Sequence, residues 1–240
     1  MARRRYRLAQ RRDSVTGMHP TIRRARPEDL PAAARLLART LRFTDADAIP
    51  AWLMRTTAEC GGITLVAASG AQVVGTSHAV PARDDILFSC GLAVAPEHRG
   101  RRLGVALKRA QRSEALKLGY RRIRWTTDPL NGRALRVYLS ELGARVVGYR
   151  AGLHDGLRAD PGHPQDDLDV VWDLAGSAPL DPIAVRTVEL PWTPGADELT
   201  ERLRVRLEMS ALLADGYVGA GVELEREARR CRITFARERT

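Results

Sequence analysis

The stretch VAPEHRGRRLGVALKRAQ, Val94 to Gln111, decides how the rest of the chain is read. An apolar run from Ile86 closes at Val94, and Pro96 follows. The chain then passes through Arg99-Gly100-Arg101-Arg102-Leu103-Gly104 into a helical pattern over Leu103 to Lys117, with Leu103, Ala106, Leu107 and Ala110 on one face and Gly119 as the stop. A near-continuous apolar run of this kind fits a central strand, covered on both faces. A strand that feeds through a Gly/Arg-rich turn into a helix presents the unpaired N–H groups of the first helical turn and the positive end of the helix dipole. Such a turn binds anions. Gly100 and Gly104 leave the backbone open to close approach, and Arg99, Arg101 and Arg102 add charge suited to phosphate oxygens. An isolated R-G-x-x-x-G also fits a solvated surface turn, so the surrounding elements have to choose.

Upstream, Thr21 to Ala25 reads as a short strand, and Pro27-Glu28-Asp29 opens a helix with Leu30, Ala33, Leu36, Leu37 and Leu41 at helical spacing. A second helix covers Ile49 to Glu59. Gly61-Gly62 breaks the chain before a hairpin of Ile63 to Ala68 and Val73 to Val80, turned at Ser69-Gly70-Ala71. Downstream, Arg122 to Thr127 alternates as a strand, Asn131 caps a helix carrying Ala134, Leu135, Tyr138, Leu139 and Leu142, and Gly143 ends it. Strands over Arg145 to Gly152 and Asp169 to Leu174 flank a polar loop from Asp155 to Asp167. The order β-α-α-β-β-β-α-β-α-β-β is that of an α/β protein with a mixed sheet.

Composition sets the outer bounds. A chain of 240 residues, 44% hydrophobic and 28% charged, can bury a full core as one large domain or one domain with an appendage. No apolar run reaches the roughly 18 residues of a membrane span, and the N-terminus lacks the apolar centre of a secretory signal, so the expected compartment is the cytoplasm. Cys60, Cys90 and Cys231 lie far apart, without metal-ligand spacing, and read as reduced structural thiols. The net charge of +10 is uneven: residues 1–20 hold six arginines against Asp13, which is half of the excess. This stretch reads as a disordered basic leader, and Met18 offers an alternative start.

Against that order of elements, Arg99-Gly100-Arg101-Arg102-Leu103-Gly104 resembles the Q/R-x-x-G-x-G/A signature of the GNAT superfamily of acyl-CoA N-acyltransferases, with Arg102 where the family usually has glycine. Asn131-Gly132-Arg133-Ala134-Leu135-Arg136-Val137-Tyr138 resembles the family's N-x-R-A-x-x-x-Y helix, with one extra residue between Tyr138 and Gly143. Trp125-Thr126-Thr127-Asp128-Pro129-Leu130, Leu142-Gly143-Ala144, Asp155-Gly156-Leu157 and Val170-Val171-Trp172-Asp173-Leu174 are similar to a poorly characterised bacterial subgroup of predicted acetyltransferases. The resemblance covers about Thr21 to Leu174.

What it implies is a GNAT-type mixed sheet whose parallel strands Ile86 to Val94 and Arg122 to Thr127 splay apart to admit acetyl-CoA or another acyl-CoA as co-substrate. The pantetheine would pair with the backbone of Leu92, Ala93 and Val94. The pyrophosphate would lie on the N–H groups from Arg99 through Gly100, Arg101, Arg102 and Leu103 to Gly104, with Asn131 also among the cofactor-binding residues. A positive φ at Arg102 would cost an arginine about 1 kcal/mol. The implied activity is N-acetyl transfer, of a group other than amino-acyl, to a small-molecule or peptide amine by direct attack on the thioester. Tyr138 would be the catalytic proton donor to the leaving thiolate.

No carboxylate stands on the strand Ile86 to Val94 to act as base. Asp84, Asp85, His78, Glu97 and His98 are the nearby candidates, and a water chain is the alternative. Ser89 and Cys90 lack a His/Asp partner at recognisable spacing, which argues against an acyl-enzyme.

Residues 180–240 form a separate β-α-β-β extension: a strand over Val185 to Leu190, a helix over Ala196 to Asp215 and a hairpin of Tyr217 to Leu224 and Arg230 to Ala236. About 60 residues bury only a marginal core alone. The extension is therefore expected to pack on a 21–175 catalytic domain, as a wall of the acceptor pocket or a homodimer contact. Two rival readings are a non-catalytic acyl-CoA-binding module and a nucleic-acid-binding protein using the leader.

Overall fold

A computed structural model describes residues 20–156, 162–176, 179–191, 198–225, 227 and 230–239. The basic leader up to residue 19, Leu157 and the first residues expected of the last helix lie outside the described residues.

The first half of the chain comprises β1 (Thr21–Arg24), α1 (Leu30–Leu41), α2 (Ala51–Glu59), β2 (Ile63–Ser69), β3 (Gln72–Pro81), β4 (Ile86–Val94) and α3 (Leu103–Lys117). The second half comprises β5 (Arg122–Thr127), α4 (Gly132–Leu135) with a π-turn (Arg136–Glu141), β6 (Arg145–Arg150), β7 (Asp167–Asp173), β8 (Pro182–Pro191), α5 (Glu198–Ala214), β9 (Val218–Glu225) and β10 (Arg230–Glu238). The strands form one ten-stranded sheet in the order β1-β2-β3-β4-β5-β7-β6-β9-β10-β8.

Side chains of successive strand residues point to opposite faces, and two apolar clusters result. Val66 and Ala93 pack with Leu30, Ala33, Leu37 and Met54 of α1 and α2. Their neighbours Leu65 and Ala67 belong to a larger cluster with Leu103 and Leu107 of α3, Leu135 of α4, and Val205 and Met209 of α5. Helices thus cover both faces. On α3 the buried residues include Leu103, Leu107, Lys108, Gln111 and Ala115, whereas Ala106 is exposed and Ala110 half-buried. Ala110 still packs against the cluster of Leu103 and Leu107, as the pattern predicts, and only Ala106 departs from the face read from the sequence, since a small alanine fits either side of a helix.

Two features of the central strands shape the site. Strands β4 and β5 are parallel and paired only at Ile86↔Arg122, Leu87↔Ile123 and Phe88↔Arg124, after which they part. On its other edge β4 pairs β3 with a register shift between Ala79↔Ser89 and His78↔Gly91, which leaves Cys90 as an extra residue. Such a bulge bends the strand and re-aims the side chains beyond it.

The extra residue before Gly143 is taken up in the π-turn, where the Leu142 N–H donates to the Val137 carbonyl at 3.0 Å, five residues back. The C-terminal strands join the sheet at a narrow seam. Between β6 and β9 the register holds one pair, Val146↔Gly219, where a Cβ on Gly219 would lie 2.8 Å from the Val146 Cβ. Beside it the Ser140 hydroxyl accepts from the Val222 N–H at 3.0 Å and donates to the Val222 carbonyl at 3.1 Å. Cys231 is buried against α4, and a Cβ on Gly132 would approach its Sγ to 2.7 Å.

Candidate active site

Where β4 and β5 part, a cleft of about 1060 Å³ opens. Ser89, Cys90, Gly91 and Leu92 line it from β4, and Trp125, Thr126 and Thr127 from β5. Thr40 to Phe43, across the C-terminal end of α1, and Asn131 and Tyr138 close further sides. Among the residues singled out in the sequence, Leu92, Asn131 and Tyr138 thus meet in one cleft. Ala93 turns its methyl into the α1 cluster, so only its backbone is available to a ligand. The Val94 carbonyl accepts from Arg99 Nε at 3.1 Å, which folds Arg99 back toward the strand end.

The Gly/Arg turn uses two left-handed residues, Gly100 at φ 75° and Arg102 at φ 59°. A non-glycine residue there costs about 1 kcal/mol. Arg102 is the N-cap of α3 and gives no side-chain cap, which leaves the first-turn N–H groups to another acceptor. Its guanidinium instead reaches Glu141 at 2.6 Å, and Glu141 also takes Arg136 at 3.1 Å. The arginine in the family's glycine position therefore ties the turn to the π-turn that carries Tyr138. Leu103 is buried and can offer a ligand only its N–H. Gly104 stands 3.6 Å, as a Cβ would measure it, from Leu92, an ordinary contact.

At the closed end of the cleft, one residue past the last β4–β5 pair on each strand, Ser89 and Trp125 flank Lys108. The Lys108 ammonium is 1% exposed; it donates to Ser89 Oγ at 3.0 Å and to Gln111 Oε1 at 3.4 Å, and lies 3.9 Å from the centre of a Trp125 ring. Burial pushes its pKa down to about 7, against a small opposing effect of Cys90. Tyr138 packs edge-on against Trp125 at 5.0 Å, and burial pushes its phenol up to about 12. Burial also raises the Cys90 thiol to about 11, which keeps it a poor nucleophile.

The sequence pointed elsewhere for a base. His78 is buried with Nδ1 2.9 Å from Thr64 Oγ1, and burial depresses it to about 4. Asp85 pairs Arg121 at 3.4 Å, and Asp84, Glu97 and His98 also stand away from the cleft lining. Lys108 was missed because lysine is read as solvent-facing. The signal was present in the spacing Gly104, Lys108, Gln111, Ala115, a helical stripe with a polar pair inside it.

The far wall comes from the C-terminal helix, whose Glu198 and Arg202 line the cleft. Arg202 grips Asp128 with two bonds of 3.1 and 2.9 Å and Glu198 at 2.7 Å, and Glu198 also meets His163 Nε2 at 2.9 Å. Asp128 in turn accepts from the Leu130 N–H at 2.8 Å, which orients the turn into Asn131. Asn131 Oδ1 accepts from the Ala134 N–H at 3.1 Å and caps α4. One turn along α5, Arg206 holds Asp166 at 2.6 and 2.8 Å, and Asp166 also accepts from the Tyr149 hydroxyl at 2.7 Å. These cleft carboxylates are already engaged.

The structure is thus an α/β protein whose mixed sheet parts between two parallel strands, with the start of α3 at Gly104 beside Leu92 of the cleft lining. Residues 30–144 match the profile of the acetyltransferase (GNAT) family, so the chain carries a GNAT-family domain. No curated protein matches the sequence. Among solved structures, a putative acetyltransferase, yncA, from Salmonella typhimurium with its cofactor acetyl-CoA aligns at TM-score 0.56 and 19% identity, over 65% of this chain and 95% of that one. A phosphinothricin acetyltransferase from Sinorhizobium meliloti in complex with acetyl-CoA aligns at TM-score 0.55 and 19% identity, over 68% and 95%. The ribosomal-protein-S18-alanine N-acetyltransferase from Escherichia coli aligns at TM-score 0.53 and 17% identity, over 67% and 97%. At these identities the likeness is one of fold. Among the described residues no helix is long and apolar enough to cross a membrane.

Proposed function

We propose that this protein is an acyl-CoA-dependent N-acetyltransferase that moves an acetyl or related acyl group, other than an amino-acyl group, to an amine by direct attack. The observation that carries this reading is the parting of β4 from β5 after Phe88↔Arg124. It leaves one edge of Leu92 to Val94 without a strand partner, pointed along the cleft toward the N-terminus of α3. A pantetheine can add to that edge as a strand would, and a pyrophosphate can accept from the first-turn N–H groups, with Arg101 near it.

Holding amine and thioester together supplies most of the acceleration, since well-oriented partners reach effective molarities of about 10⁵ M and above. The amine attacks the thioester carbon, the C–S bond breaks, and the thiolate needs a proton. Tyr138 is the donor in this reading: its hydroxyl, still protonated at neutral pH, is carried on the cleft wall by the π-turn. Residues 21–175 would form the catalytic domain and 180–240 the wall on which the acceptor rests, in a protein acting in the cytoplasm.

The test is a thermal-shift titration with CoA, acetyl-CoA and longer acyl-CoAs, followed by thiol release with a panel of small amines and peptides. Stabilisation by at least one acyl-CoA is expected, because a ligand bound only by the folded state adds RT ln(1 + [L]/Kd). No shift with any of them at millimolar concentration sinks the reading.

A further inference from the structure

The cleft ends on a buried lysine that has no acid beside it among the described residues. Lys108 projects from α3 to the point where β4 and β5 separate, and its close partners are a hydroxyl, an amide oxygen and an indole face. A buried ammonium without a counter-ion is costly, and lysine is rarely fully buried unless paired. The neighbouring donors are in surplus as well. The Trp125 Nε1–H is buried without an acceptor among the described residues, as is the Gln111 Nε2 amide, and Trp125 lines the cleft with Lys108 and Ser89. Buried donors left without acceptors are uncommon in folded proteins. Lys108 and Trp125 stand together at one end of the cleft, with Gln111 behind Lys108, and this surplus of donors suits an acceptor supplied from outside the chain.

If acyl-CoA lies in the cleft as proposed above, on which this inference rests, its acyl group is the part that reaches the closed end. We propose that Lys108, with Ser89 beside it, recognises a carboxylate at the far end of the acyl chain, so that the preferred donor is the CoA thioester of a dicarboxylic acid rather than acetyl-CoA. A carboxylate there would accept from the ammonium and the Ser89 hydroxyl and neutralise the buried charge, whereas an uncharged acyl group would leave it as it is. Lys108 is buried, and in such a low-dielectric setting the attraction between an ammonium and a carboxylate is stronger than at a surface. The acidic side chains of the opposite wall do not compete, since Arg202 and Arg206 hold Asp128 and Asp166.

The experiment measures binding without any acceptor, so a preference can come only from the donor. Acetyl-, butyryl-, valeryl-, malonyl-, succinyl- and glutaryl-CoA are titrated into the full-length protein by calorimetry. At least one dicarboxylic donor should bind about tenfold or more tightly than the uncharged donor of matching length, about 1.4 kcal/mol. In Lys108→Met, which keeps the length and apolar character of the stem, that ratio should fall to near one, whatever happens to affinity for all donors in common. Lys108→Gln serves as a second neutral variant. Equal affinity for charged and uncharged donors in the wild type overturns the inference while leaving the acyltransferase reading in place. A preference that persists in both variants also overturns it, by placing the carboxylate elsewhere. Binding of none of the thioesters removes the acyltransferase reading and this inference together.

Discussion

Lys108 pays for its position at the end of the cleft in stability. Its folded-state pKa near 7 stands below the ordinary 10.5, so between those values the unfolded chain holds a proton that the folded chain has released. Stability of the wild type therefore rises with pH across that window, by up to about 1.4 kcal/mol per unit from this group. Lys108→Met removes the buried charge and should melt at a higher temperature than wild type at pH 7. The gap should narrow as pH is raised from 7 toward 10, as followed by paired thermal melts. A wider gap at high pH would mean that the ammonium is net stabilising where it sits. Tyr138 gives the complementary case. Tyr138→Phe keeps the ring against Trp125 and loses only the hydroxyl, so folding and acyl-CoA affinity should hold while turnover falls about 10² fold, about 2.7 kcal/mol of transition-state stabilisation. Turnover within about twofold of wild type would assign the hydroxyl to packing and proton delivery to water.

At the scale of the element, the turn before α3 separates charge from conformation. Arg101→Glu puts an anion beside the expected pyrophosphate and should weaken acyl-CoA binding about tenfold, whereas Arg102→Gly removes a left-handed arginine and an exposed pair with Glu141, terms of similar size and opposite sign. Affinity within about threefold of wild type is expected for the second variant; its loss would make Arg102 a phosphate ligand. The strand, helix and strand from Ile86 to Thr127 have the bounds that their pattern predicts, because Pro96, Gly119 and Asp128-Pro129 punctuate them. The parting of β4 and β5 follows the family resemblance and not the pattern, since hydrophobic alternation does not record which edges pair. The π-turn was visible only as a miscount before Gly143. Its role as a joint, through Ser140, was not visible at all, because a serine on a helix carries no sign of a strand 82 residues away. Ser140→Ala strands the Val222 N–H and carbonyl and should cost about 1–3 kcal/mol in thermal or denaturant unfolding.

For the whole molecule, the C-terminal strands continue the same sheet through the single Val146↔Gly219 pair, and α5 returns across the cleft to grip Asp128 and Asp166. The β-α-β-β order of this part was readable from Leu, Gly and Val spacing, but the arginines that grip the cleft were not, because Arg202 and Arg206 lie four apart on a helix rich in surface charge. Cys231 sits behind that seam, with burial raising its thiol to about 11, while Cys60 is exposed. The molecule therefore contains its own chemical clock. A thiol reagent should modify Cys60 at once and Cys231 only as fast as the seam opens, since a buried group reacts through local unfolding. Peptide mapping over time would read that rate directly. Ser140→Ala should quicken the Cys231 reaction and leave Cys60 unchanged, and equal acceleration at both would mean that the chain opens as one piece.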